Sequence, residues 1–386
     1  MKITKISTAI MAVSRPRPGI PSIRRNWIFV KVETDSGLFG LGEATTEWHE
    51  HAVVAMINEH FAPKLIGKDP TRITRAWQEL RRLFWWRDGV VASSAASGIE
   101  QALWDISGKA CGLPVYKLLG GEVRDRVRLY ARNDLGLDDE VRELEAALSE
   151  GFTGFKTGPS PYHDPYHEER QVDDAIALAE RLRKAAGPDV DLMMDCLGNF
   201  SLHAAHRLIE GFKHTRPLFV EEPVNADTPA SLLTLRQVFP GVRIAAGERL
   251  MTRWGVREWL EKGAVDVLQP DVCHCGGIGE LMRIAAYAEV YNVAIAPHNP
   301  YGPVAFAANV HACAAMQNFM TLEHWRDNNL FDKAQKYGPR VENGCALLDD
   351  RPGLGVDLDW DFIAQHPYQP VYNFHFNDRD GGLMSI

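Results

Sequence analysis

Six short apolar segments each close on a residue able to do acid–base or metal chemistry. The segments DLMMD, PLFVE, VRIAAGE, VDVLQPD, VAIAPH and FMTLE end on Asp195, Glu221, Glu248, Asp271, His298 and Glu323. The intervals between these residues are 26, 27, 23, 27 and 25. Each interval holds one strand, one helix and two loops. In a closed parallel barrel every C-terminal strand end faces the same side. The rhythm therefore predicts three metal-type carboxylates, an Asp, a His and a further Glu around one cavity. Two more apolar runs, Val127–Ala131 and Phe155–Thr157, precede the six strands expected at Asp191–Asp195, Pro217–Glu221, Val242–Glu248, Val265–Asp271, Val293–His298 and Phe319–Glu323. Segments between them, such as Asp173–Ala186 and Gly279–Tyr291, have helical period. Eight βα units over roughly 230 residues fit a TIM barrel better than an open doubly wound sheet.

The first part of the chain has a different pattern. Ile3–Val13, Trp27–Glu33 and Leu38–Glu43 alternate as strands, with a hairpin signal at Thr34-Asp35-Ser36-Gly37. Helical spacing follows over His49–Leu65, Thr71–Phe84 and Ala92–Ala110. Three strands then three helices make an α+β unit. After Pro352 the chain becomes irregular and aromatic, which predicts a tail packed back on the first unit. The expected division is 1–124, 125–351 and 352–386.

Composition excludes several function classes. A net charge of −9 leaves no basic footprint for nucleic acid. No apolar run approaches about 20 residues, so no membrane span is expected. The N-terminus MKITKISTAIMAV lacks the apolar core of a signal peptide. Six scattered cysteines form no disulfide framework, and the chain reads as cytoplasmic. Cys273-His274-Cys275 invites a zinc reading, but no further ligands stand at suitable spacing.

Three carboxylates on adjacent strand ends repel one another unless a cation neutralises them. All-oxygen donors at Asp195, Glu221 and Glu248 point to a hard cation, Mg²⁺. Taken singly, each is as readily a solvated strand end or a helix cap. Asp271 and His298 end neighbouring strands, and an Asp beside a His suits a general base. Glu323 reads either as a protonated donor to an oxyanion or as a partner for Lys or Arg. Lys156 is the nearest cation to the carboxylates. Arg24, His49, Trp86 and Tyr162 are the expected substrate contacts, from the loops that could close over the site. Trp85 is expected in the core.

These residues and their surrounding strings resemble the enolase superfamily, in its mandelate racemase subgroup. The strings are Ala102-Leu-Trp-Asp-Ile-Ser-Gly-Lys109, Leu118-Leu-Gly-Gly121, Phe219-Val-Glu-Glu-Pro223, Ala246-Gly-Glu-Arg249, Gln269-Pro-Asp271 and Cys275-Gly-Gly-Ile278. Ala296-Pro-His-Asn-Pro-Tyr-Gly-Pro303 and Asn377-Asp-Arg-Asp-Gly-Gly382 are similar to sugar-acid dehydratases, the galactonate dehydratase branch above all. The resemblance implies an α/β fold: a modified TIM barrel, (β/α)₇β, with an α+β capping domain and a C-terminal tail packing on the cap. It implies Asp195, Glu221 and Glu248 as Mg²⁺ ligands, His298 and Asp271 as the base dyad, and Glu323 as the acid that hydrogen-bonds the substrate carboxylate. It also implies a homo-oligomer.

Two departures stand out. Many members carry Lys-x-Lys at the end of strand two, where this chain has Lys156-Thr-Gly158. Galactonate dehydratases place a His two residues after the first metal ligand, where this chain has Leu197. A racemase needs a base on each face of its substrate, so the racemase reading is disfavoured. The loop Pro159–Glu168 offers Tyr162, His163, Tyr166 and His167 as replacements. The expected activity is dehydration of an acid sugar to a 2-keto-3-deoxy acid. The alternatives are an epimerase or cycloisomerase on a related acid, or a sugar-acid binding protein without turnover.

Overall fold

The structure, a computed structural model, describes residues 1–14, 24–82, 85–132, 140–159, 168–326 and 329–371. The chain opens with an antiparallel sheet of β1 (Ile3–Ser14), β2 (Arg24–Thr34) and β3 (Phe39–Glu43). The helices α1 (Ile73–Arg82) and α2 (Val90–Cys111) follow. Helix α2 lies directly on β3. A Cβ at Gly42 would collide with the Gly98 carbonyl, so the alternating glycines of Phe39–Glu43 are what permit that contact. The helix expected over His49–Leu65 runs without a gap from Glu50 to Leu65, with a π-helical stretch at Met56–Phe61 between Glu50–Ala55 and Ala62–Leu65. Pro63 has no N–H to give to the turn before it, and the ladder widens there.

Eight parallel strands form the barrel: β4 (Arg126–Arg132), β5 (Gly154–Thr157), β6 (Asp191–Asp195), β7 (Phe219–Glu221), β8 (Ile244–Ala246), β9 (Val267–Leu268), β10 (Ala294–Ile295) and β11 (Leu322–Trp325). Neighbouring strands pair in sequence from β4 to β10. The ring closes because β11 pairs with β4 and Ile295 bridges Phe319. A helix follows each of the first seven strands: α3 (Glu140–Ser149), α4 (Glu168–Ala186), α5 (Leu202–Phe212), α6 (Pro229–Val238), α7 (Thr252–Glu261), α8 (Ile278–Val290) and α9 (Pro303–Ala315). After β11 comes the five-residue helix Asn329–Lys333 and then short strands that leave the barrel, in place of an eighth full barrel helix, so the described barrel is (β/α)₇β.

Period-2 alternation sorts each strand into two faces. Leu192, Met194, Val220, Ile244 and Leu322 join the layer under the helices. Tyr130, Met193, Phe219, Ala245, Val267 and Ala296 fill the barrel interior. The next inward positions are polar and sit one layer higher. Several strands are shorter than their apolar runs suggest. Val265–Asp271 contributes two ladder residues, and Glu248, Asp271 and His298 lie past their strands in the loops. Glu323 departs in the other direction, being the second residue of β11.

Two carboxylates of the first unit clasp the barrel. Glu43, at the end of β3, accepts from Gly302 N (2.8 Å) and Ala305 N (3.0 Å) at the start of α9. Glu100, in α2, accepts from Ile278 N (2.7 Å) and Gly279 N (2.8 Å) at the start of α8. Both satisfy helix N–H groups that have no partner inside their own helix. Gly277, at φ +86°, is required here, because a side chain would occupy the Glu100 carboxylate's position. Burial raises both carboxyls to about 7, against the pull of those hydrogen bonds. Glu100→Gln places an NH₂ against one of the two N–H donors. Its unfolding free energy in a urea titration should fall by about 1–3 kcal/mol, and an unchanged midpoint would mean that the clasp carries no stability.

The C-terminal segment returns to the first unit. Ala12 N donates to His366 O (2.8 Å), and Gln369 exchanges hydrogen bonds with the Asn26 side chain (3.0 and 3.1 Å). Among the described residues, no helix is long and apolar enough to cross a membrane.

Candidate active site

The upper inward layer of the barrel carries the site. Arg132, Lys156, Asp195, Glu221 and Glu323 all occupy inward positions, in line with the interior residues Tyr130, Met193 and Phe219. Lys156 is fully buried at its centre. Its Nζ lies 2.9 and 3.0 Å from the two Glu221 oxygens, 3.3 Å from Asp195 Oδ2 and 3.4 Å from Glu323 Oε1. Burial opposes the ammonium charge, but these carboxylates outweigh it and hold Lys156 well above the usual lysine range. Glu221 moves the other way. Burial and the Asp195 charge raise its carboxyl to about 7, and Lys156 only partly offsets them.

Glu323 is held ionised. Burial raises its carboxyl, but Lys156 and Arg132 lower it well below the usual carboxylate range. Arg132 Nη1 is 3.1 Å from Glu323 Oε1, and Asn299 N donates to Oε2 at 2.9 Å. Arg132 and Lys156 both face Glu323, as its reading as a cation partner expects. Arg132 went unread in the sequence, since it lies one residue beyond the expected end of the first barrel strand. Its inward spacing from Tyr130 was the available signal.

Across the mouth, His298 Nδ1 hydrogen-bonds Asp271 Oδ2 at 2.7 Å, and the two residues bridge their loops. Asp271 Oδ1 also accepts from Cys273 N at 2.7 Å, which fixes the carboxylate. His298 Nε2 is 3.3 Å from Glu248 Oε2 and 4.0 Å from Glu323 Oε2. Burial of the ring disfavours its charge, but Glu248, Glu323 and Asp271 raise it to about 9. Asp271 thus orients the ring through Nδ1 and leaves Nε2 directed at the carboxylates.

The donor set suits a hard divalent cation in its chemistry. Asp195 Oδ2 is buried and receives no hydrogen bond, and Asp195 and Glu221 pair at adjacent strand ends, with Glu248 in the loop after the next strand. Among the described residues, no three His, Cys, Asp or Glu side chains converge closely enough to form a ready cage. Glu248 Oε2 lies against His298, and the Lys156 ammonium lies between Asp195 and Glu221.

The other expected contacts are scattered. Arg24 starts β2, with its side chain outside the described atoms, and Tyr162 lies outside the described residues. His49 is exposed, with Nδ1 against Glu47 O, in the turn before Glu50. Trp86 is 92% exposed and lines a groove of about 240 Å³ with Trp77, Arg81 and Met56. Trp85, expected in the core, is 97% exposed, because it follows α1 on the outer surface. His274 bridges Ser94 Oγ (2.7 Å) and the Tyr301 hydroxyl (2.8 Å), a structural role in place of a zinc site. Leu197 adopts a left-handed turn at φ 54°, its N–H on Asp195 Oδ1 (3.1 Å).

Comparison with known proteins agrees with this architecture. Residues 6–120 match the mandelate racemase/muconate lactonizing enzyme N-terminal domain, and residues 139–362 match the enolase C-terminal domain-like family. A D-galactonate dehydratase of Verminephrobacter eiseniae is 38% identical over 373 residues, covering 93% of this chain and 92% of its own. One from Ralstonia pickettii is 39% identical over 369 residues, covering 93% and 92%. An enolase from Agrobacterium radiobacter, proposed to be a galactarate dehydratase and bound to Na and L-malate, superposes with a TM-score of 0.87 at 31% identity, over 99% of each chain. The 3,6-anhydro-D-galactonate cycloisomerase of Zobellia galactanivorans gives 0.85 at 30% identity, over 96% of this chain and 100% of that one. The two family matches and the barrel they span place this chain in the mandelate racemase/muconate lactonizing enzyme family of the enolase superfamily.

Proposed function

We propose that this protein is a hydro-lyase, a Mg²⁺-dependent dehydratase of an acid sugar, built as a cap (1–124), a catalytic barrel (125–351) and a returning tail (352–386). The observation that carries the reading is the His298–Asp271 pair, 2.7 Å apart, facing a buried layer of carboxylates. Asp195, Glu221 and Glu248 would hold the cation. Bound there, Mg²⁺ supplies positive charge to the substrate carboxylate and lowers the cost of removing its α-proton.

His298 does the proton work. Asp271 occupies Nδ1, so Nε2 is the atom that takes the α-proton. A base must be neutral, and a cation held by Glu248 offsets that carboxylate's pull on the ring. The pair of electrons left on the α-carbon forms a C2–C3 double bond as the 3-hydroxyl departs, and His298 Nε2 returns its proton to that hydroxyl as water leaves. The resulting enol becomes the 2-keto-3-deoxy acid. Gly158 and Leu197 bear no titratable group, and Tyr162, His163, Tyr166 and His167 lie outside the described residues; in this reading His298 serves as both base and acid, with both reacting groups on its face of the substrate.

The 30–39% identity to both dehydratases and a cycloisomerase makes product analysis the test. Purified protein with Mg²⁺ should convert at least one member of a panel of stereoisomeric aldonates and aldarates to a 2-keto acid trapped by semicarbazide. Turnover without a 2-keto product would assign an epimerase or cycloisomerase instead. No turnover across the panel, with Mg²⁺ still bound, would indicate a binding protein.

A further inference from the structure

We infer that Tyr301 is a positioning residue for His298, held from the cap by a buried hydrogen-bond chain through Ser94 and His274. The inference rests on the reading of His298 as the base. Helix α2 carries Ser94, Ser97 and Gln101 at helical spacing on one face, toward the loop that follows Asp271. Ser97 Oγ accepts from Gly276 N at 3.0 Å, and Gln101 Nε2 donates to Val272 O at 3.2 Å. Those two contacts end on backbone and fasten the loop. The Ser94 contact ends on a side chain. Its hydroxyl meets His274 Nδ1 at 2.7 Å, and His274 Nε2 meets the Tyr301 hydroxyl at 2.8 Å. All three residues are buried.

The chain ends on the base. The Tyr301 ring stands edge-to-face to His274, with centroids 5.6 Å apart and an interplanar angle of 83°, and to His298, at 5.9 Å and 85°. Tyr301 is thus wedged between two imidazoles, one that anchors it and one that does the proton work. Burial holds His274 below the ordinary histidine range, so its ring is neutral, with one nitrogen to donate and one to accept. Both nitrogens are engaged, so the ring turns only by breaking two buried bonds, and the Tyr301 hydroxyl is fixed. The Asp271 bond holds the His298 ring at one atom, Nδ1, about which an imidazole can still swing. The Tyr301 ring closes one side of that swing. A carboxylate and an aromatic wall together define where Nε2 points. Fastening the loop does not call for the chain, because Ser97, Glu100 and Gln101 already bond its backbone. Burying an imidazole and two hydroxyls costs desolvation that apolar side chains of the same size would not. What the polar chain adds is direction.

The test uses the full-length protein with Mg²⁺ and the variants Ser94→Ala, Tyr301→Phe and their double. With the acid sugar that the panel identifies, each single change should lower kcat and the rate of α-hydrogen exchange together, by about 3- to 10-fold, with KM unchanged. The double variant should be no slower than the slower single, because both changes cut the same chain. Tyr301→Leu removes the wall itself and should cost about 10- to 100-fold in kcat. The two smaller changes keep the test available if the Leu variant does not fold. Nitrogen NMR of isotope-labelled histidine supplies a readout that needs no turnover. The His298 ring signals, assigned by their loss in His298→Asn, should shift in Ser94→Ala, a change made at the far end of the chain. Additive losses in the double variant, an effect confined to KM, or His298 signals that stay in place overturn the inference and leave the dehydratase reading intact. If the parent turns over no acid sugar, the dehydratase reading fails, and the His298 signals alone decide whether the ring is held from the cap.

Discussion

His298→Asn should lower turnover by about 10³-fold or more and abolish exchange of the substrate's α-hydrogen with deuterated solvent. The size of the effect follows from the geometry. Among the described residues, His298 is the imidazole whose ring is oriented by a carboxylate, at 2.7 Å, and whose other nitrogen faces the acidic layer. Asn keeps a polar group near Asp271 but has no basic nitrogen to replace Nε2. Mg²⁺ binding should persist, because Asp195, Glu221 and Glu248 are untouched. Exchange retained at the parent rate would place the base on another residue. Asp271→Asn should also be slow, through loss of ring orientation.

Lys156→Met should destabilise the metal-free protein by about 3–5 kcal/mol, the usual result of stripping one partner from a buried ionic cluster. Among the described residues, Lys156 is the only lysine in contact with Asp195, Glu221 and Glu323, and Arg132 touches two of these acids. Without the ammonium, Glu221 and Asp195 face each other in a buried site with no cation between them. Mg²⁺ should then recover more stability in the variant than in the parent, since the divalent ion supplies the missing charge. Urea unfolding of both proteins, with and without Mg²⁺, reads this directly. A variant as stable as the parent without metal would show that the carboxylates are neutral there, and would remove the argument for a cation at this layer.

The Glu43 and Glu100 clasp links the cap to these effects. The two helices it caps, α8 and α9, follow the loops that carry Asp271 and His298. The first unit therefore holds the starts of the helices that follow the Asp271 and His298 loops. The string Cys275-Gly-Gly-Ile278 is legible in the sequence, but its reason is not. Gly277 answers to a carboxylate 177 residues earlier in the chain, and no local pattern records that contact.

The sequence by itself determined the barrel, the order of its strands and the identity of the strand-end residues. Alternation has a period of two and βα units have a near-constant length, and both are local properties of the chain. Asp271 and His298 could be paired because adjacent strands in sequence are adjacent in space. Tertiary structure decided the rest. Whether Glu323 is a donor or an ion depends on Arg132 and Lys156, which reach it only through closure of the ring between β11 and β4. Which carboxylates surround Lys156 and Arg132 depends on all the inward layers together. The six chemically committed residues are legible as strand ends in the chain; Arg132, one residue past an expected strand, reaches Glu323 and Asp195 only because the folded barrel turns its position inward beside Lys156.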